Sequence, residues 1–144
     1  MNNPSFILDC SVAITWCFED ERNEYSKFVL NYCMKHGATV PSLWKLEITN
    51  TLLVSEKRNR LHIADTVKFI DLYNSLPLSI SNFNFSIHEV IQVARANNLT
   101  AYDTTYLLTA MHEGLPIATN DKALIRACHN NGVPLLKENN PHFS

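Results

Sequence analysis

Only three glycines occur in 144 residues, and each stands at the same kind of junction. Gly37 closes YCMKHG ahead of ATVP, Gly114 closes LTAMHEG ahead of LPIAT, and Gly132 closes CHNNG ahead of VPLL. Glycine tolerates the left-handed conformation that stops a helix, and a short apolar run behind such a stop reads as a buried strand. Three helix–glycine–strand passages in so short a chain imply alternating α and β, hence a parallel sheet covered by helices. The same scarcity excludes a Walker-type phosphate loop and a glycine-rich dinucleotide turn, which both need clustered glycine to bring backbone close to phosphate.

The segments between the stops fit that plan. Strands are expected at residues 5–8, 38–40, 78–80, 115–118 and 133–136. Tyr25, Phe28, Val29, Tyr32 and Cys33 recur at helical spacing and form one apolar stripe. Further helices are expected over residues 42–58, from Ile63 to about Ser75, through Ile87, Val90, Ile91 and Ala94, over 100–113 with Thr100 as N-cap, and over 121–131. Residues 1–136 read as one domain, which this length accommodates without a disulfide or metal staple. Residues 137–144, KENNPHFS, read as a polar tail.

Charge and cysteine usage narrow the function classes. Twelve Lys and Arg face fourteen Asp and Glu, so no broad basic field coats nucleic acid. With four acids committed to a cation site, those twelve bases would face ten acids. The start, MNNPSFILDC, lacks a basic n-region and a long apolar core, and no stretch approaches a membrane span; a cytoplasmic protein with no membrane association is expected. Cys10, Cys17, Cys33 and Cys128 form no CxxC pair, and the six histidines form no HxH or HxxxH, so reduced thiols and no zinc site are expected.

Four carboxylates stand in unusual places. Asp9 follows the apolar FIL, and Asp121 follows PIATN; both mark strand ends, where open parallel sheets bind ligands. Each taken alone also reads as a helix N-cap. In the helix over 42–58, Leu43, Leu46, Leu53 and Val54 make the expected apolar stripe, and Glu47 projects between Leu43 and Val54. Asp103 projects beside Tyr106, Leu107 and Ala110, in a first turn where the helix dipole favours negative charge. Carboxylates turned inward must be paired, neutralised or bound to metal. If the four converge they repel one another unless cations sit among them, and oxygen-only ligands favour Mg2+ or Mn2+. Such ions hydrolyse phosphodiesters by activating water and stabilising the leaving oxygen.

These residues, taken in order, resemble the PIN-domain ribonucleases, specifically VapC-type toxins of VapBC toxin–antitoxin modules. The matching pieces are FILDCSVAITW, PSLWKLEITNTLL and LTAYDTTYLLTAMHEGLPIATNDKAL, and the likeness covers roughly residues 5–136. The resemblance implies a three-layer α/β/α fold with a central parallel sheet and divalent-metal-dependent endoribonuclease activity on RNA. It also implies a homodimeric toxin held inactive by a VapB-type antitoxin. By position, Asp9, Glu47, Asp103 and Asp121 match the family's acidic quartet, the Mg2+ (or Mn2+) ligands, and Ser11 and Thr119 match supporting polar positions. Cys10 departs from the usual small residue, and residues 60–85 do not align.

Lys45 and Lys122 lie near the motifs and are candidate phosphate contacts; Trp44 and Tyr102 stand between core or interface packing and a base-stacking role. A haloacid-dehalogenase-type phosphatase would need a second acid where Ser11 stands, and a response-regulator receiver would need an Asp at the end of LSISNF. The alternative from another class is a catalytically inactive module that keeps the fold to bind RNA or protein.

Overall fold

A computed structural model describes residues 5–138, so six of the eight tail positions lie outside the described residues. Four short strands, β1 (Ile7–Leu8), β2 (Ala38–Val40), β3 (Leu78–Ile80) and β4 (Ile117–Ala118), form one parallel sheet in the order β3-β2-β1-β4. Register pairs Ile7 with both Thr39 and Ile117, and Thr39 with Ser79. Seven α-helices occur among the described residues: α1 (Cys10–Ala13), α2 (Glu24–His36), α3 (Trp44–Lys57), α4 (Ile63–Ser75), α5 (Ile87–Asn97), α6 (Ala101–Glu113) and α7 (Lys122–Asn130). Right-handed crossovers put the helices between β1 and β3 on one face of the sheet and α5 to α7 on the other. Helix contacts follow the same division, α1 with α2 and α3, α6 with α5 and α7. The result is the expected three-layer α/β/α arrangement.

Strands β1, β2 and β4 are buried, with Phe6, Ile7, Leu8, Ile117 and Ala118 sealed from solvent, while the edge strand β3 leaves Ser79 and Ile80 exposed. One cluster of buried side chains joins them to Val29 and Cys33 of α2, Tyr106 and Leu107 of α6, and Leu124 and Cys128 of α7. Helix α6 lies against β1 and β4 and is buried without interruption from Thr104 to Ala110. Its buried threonines donate to their own helix, Thr104 to the Thr100 carbonyl (2.8 Å) and Thr109 to the Thr105 carbonyl (2.6 Å). Thus α6 passes through the core without orphaned hydroxyls. Gly37 has φ +79°, and a Cβ there would lie 3.0 Å from the Pro77 carbonyl oxygen, so the turn from α2 into β2 requires glycine.

Two expectations are corrected. The inward stripe of α3 is Trp44, Ile48, Leu52 and Ser55; Leu46 and Leu53 are exposed. Helix α4 forms over the expected span, with Ile63, Val67 and Ile70 facing solvent and Tyr73 supplying the buried contact, donating to the Ala13 carbonyl at 3.0 Å. The strand expected at 133–136 is reduced to one parallel bridge, Leu135 with Ile117.

Candidate functional site

The strand order sets the location. From β1 the chain moves to β2 and β3 on one side, while β4 docks on the other, so the crevice beyond the carboxyl ends of β1 and β4 is the topological switch point. Asp9 leaves β1 there and Asp121 follows β4 by three residues. Helices α3 and α6 lead from or to strands in parallel crossovers, so both begin at this same end of the sheet. Glu47 and Asp103 sit in their first turns.

Asp9 is 4% exposed. It occupies the N-cap position of α1, yet its side chain caps nothing. Its Oδ2 instead accepts hydrogen bonds from Ser11 Oγ and Thr119 Oγ1, each at 2.7 Å. Those hydroxyls are themselves oriented. Asn120 donates its backbone N–H to Ser11 Oγ (2.9 Å) and its side-chain amide to the Ser11 carbonyl (3.2 Å), and the Asp121 N–H donates to Thr119 Oγ1 (3.0 Å). Ser11 and Thr119 therefore hold one Asp9 oxygen in place. Burial pushes the Asp9 carboxyl above its ordinary range; the two hydroxyl donors oppose this, and the charge of Asp121 adds to it.

Glu47 is half-buried and is held by Tyr106, whose hydroxyl donates to Oε1 at 2.7 Å. The Tyr106 hydroxyl also lies 3.3 Å from Cys10 Sγ, next in sequence to Asp9. Burial raises the Glu47 pKa, Tyr106 counteracts it, and Asp9 raises it further. Asp103 is pushed up to about 6, first by burial, then by the charges of Asp121, Asp9 and Glu47, against a lowering hydrogen bond from Thr100. Asp103 and Asp9 thus link the four acids electrostatically, Asp103 feeling the charges of the other three and Asp9 adding to the charge around Glu47. Asp121 fulfils its capping role as well, its Oδ1 accepting the Leu124 N–H at 3.0 Å.

Among the described residues none of the four acids forms an ion pair, and Lys45 and Lys122 are exposed and unpaired. Nor, among the described residues, do three acidic, histidine or cysteine side chains close around one point as metal ligands do. The chemistry of the donor set fits a hard divalent ion: carboxylate and hydroxyl oxygens only, partly desolvated, with the other three acids repelling Asp103 and, among the described residues, no ion pair to neutralise them.

Sequence reasoning missed Tyr106 and Asn120 as parts of this site. Tyr106 is three residues beyond Asp103, hence on the same helical face, and Asn120 is framed by Thr119 and Asp121; both signals were present. Trp44 is buried in the core, edge-on to Tyr73 at 5.8 Å between ring centroids. Tyr102 is exposed and lines a cleft with Leu43, Leu46, Glu47, Asn50 and Thr51.

Neither a protein-family model nor a curated protein matches the chain. Among solved structures it is similar to PAE2754 from Pyrobaculum aerophilum, with TM-score 0.64 and 21% identity over 85% of this chain and 78% of that one. At that identity the likeness is one of fold.

Proposed function

We propose that this chain is a divalent-metal-dependent endoribonuclease that hydrolyses RNA phosphodiester bonds, the toxin of a type II toxin–antitoxin module. The observation that carries the reading is the set of four carboxylates at the β1/β4 switch point, with Asp103 repelled by the other three and none of the four in an ion pair among the described residues. Such a cluster is unfavourable in itself and is compensated by a bound divalent cation. The resemblance of the three acidic motifs to PIN-domain ribonucleases supports RNA as the substrate.

Asp9, Asp103, Asp121 and Glu47 would hold Mg2+ or Mn2+, which supplies Lewis acidity towards a phosphate oxygen and acidifies water. The protein's own part is to position the ligands. Ser11 and Thr119 fix one Asp9 oxygen, leaving Oδ1 clear of these bonds. Tyr106 fixes one Glu47 oxygen. Asp121 is anchored by its cap, and the N-terminal dipole of α6 favours Asp103 in its charged form. Exposed apolar side chains on α3 and α4, Leu53, Ile63 and Val67, support a protein partner, a VapB-type antitoxin or a second copy. Four buried, unpaired cysteines support a reducing, cytoplasmic setting.

The test is cleavage of total RNA with Mg2+ or Mn2+, with EDTA, and with Asp9→Asn or Asp103→Asn protein of unchanged circular dichroism. EDTA should abolish cleavage, and each substitution should slow it by on the order of 100-fold or more. Cleavage that survives chelation and both substitutions overturns the assignment.

A further inference from the structure

We infer that the cleft between α3 and the first turn of α6 is a nucleobase subsite, in which Tyr102 stacks one base of a single-stranded RNA beside the scissile phosphate. The inference rests on the ribonuclease reading and names the substrate feature that the site would grip. The cleft measures about 500 Å3 and is lined by Leu43, Leu46, Glu47, Asn50, Thr51 and Tyr102, a size within the range of small-ligand pockets. Two of its residues tie it to the acidic centre. Glu47 belongs to both, and Tyr102 directly precedes Asp103.

The composition of the walls fits a base. Tyr102 is 64% exposed and Leu46 73% exposed, so a ring from α6 and an aliphatic side chain from α3 stand open to solvent along the cleft. An aromatic face recognises any base by its π surface and tolerates sequence change. Asn50, exposed on the same wall, carries both a donor and an acceptor for a base edge. Thr51 contributes chiefly an acceptor, since its hydroxyl already donates to the Glu47 carbonyl at 2.9 Å. A base seated here keeps its sugar–phosphate beside Glu47 and Asp103. A duplex, whose bases are already stacked, does not present a free face to Tyr102.

The experiment compares wild type with Tyr102→Ala and Tyr102→Phe. Short single-stranded RNAs are used, intact or carrying one abasic ribose at successive positions around the cleaved bond. Binding is read by fluorescence anisotropy with Ca2+ in place of Mg2+, and kcat and KM are read with Mg2+. Tyr102→Ala should weaken binding and raise KM by about 10-fold or more with kcat nearly held, and Tyr102→Phe should restore both. On the RNA that is abasic at the subsite position, the Ala and wild-type proteins should become equal. Equal binding and KM for all three proteins on intact RNA overturns the subsite, as does a penalty that no abasic position relieves. A change in oligomeric state of Tyr102→Ala by sedimentation, with RNA affinity unchanged, assigns the cleft to a second copy and also overturns it. Absence of cleavage by wild type, with the Tyr102-dependent binding intact, instead removes the nuclease reading and leaves the subsite standing.

Discussion

Tyr106 illustrates how a residue with no charge governs an acidic site. Its ring is wholly buried and its hydroxyl donates to Glu47 at 2.7 Å. Tyr106→Phe keeps the ring but leaves one oxygen of a half-buried carboxylate without its donor, a loss of about 1–3 kcal/mol for a charged acceptor. Mn2+ affinity measured by calorimetry should fall by about 10-fold, with the thermal midpoint lowered by several degrees. Asp103 sets the pH dependence. Its carboxyl is raised from 3.8 to about 6 in the folded protein, so the folded state binds more protons than the unfolded state between those values. Its contribution to stability is therefore lost as pH rises through that window, and divalent binding, which needs the anion, is lost as pH falls below about 6. Calorimetric titration with Mn2+ at pH 5.0 and 7.5 should show distinctly weaker binding at the lower pH.

At the scale of elements, Asp121 serves two ends at once. It lies at the close of the β4 segment and caps α7 through the Leu124 N–H. The two duties separate by substitution. Asp121→Asn keeps the cap while removing charge, so its denaturation midpoint should be no lower than that of wild type while RNA cleavage falls. Asp121→Ala should lose cleavage and, in addition, about 1 kcal/mol of stability in urea titration. Such local devices were legible in the chain. Thr100 was readable as the cap of α6, and its hydroxyl does accept the Asp103 N–H at 3.1 Å. The orientation of α3 was not legible. Apolar residues recur at helical spacing on more than one of its faces, and periodicity cannot choose between Leu43, Leu46, Leu53 and the face that packs, Trp44, Ile48 and Leu52. The choice fell to Tyr73 and the core beneath it, which offer Trp44 a ring to pack against.

For the whole molecule, the acidic centre is a charge imbalance waiting for compensation. Asp103→Asn removes one of four repelling charges and should stabilise the metal-free protein at pH 7.5 by about 1 kcal/mol, a few degrees in thermal midpoint. Addition of Mg2+ or Mn2+ should raise the midpoint of wild type by mass action but move Asp9→Asn little. Differential scanning calorimetry checks both; a destabilised Asp103→Asn protein would argue that the carboxylate is instead held by favourable partners.

The glycine stops, the caps and the positions of β1 to β4 were readable from the chain because each is settled within a turn or two of backbone. Alternation of helix and strand then dictated a parallel layered sheet. Tertiary structure alone decided the rest: which face of α3 turns inward, that the last strand shrinks to a single bridge, and that Tyr106 and Asn120 brace the acids. Those outcomes depend on partners separated by tens of residues. Tyr106 meets Glu47 across 59 positions and Thr119 meets Asp9 across 110, and no local pattern encodes which distant surface a side chain will find.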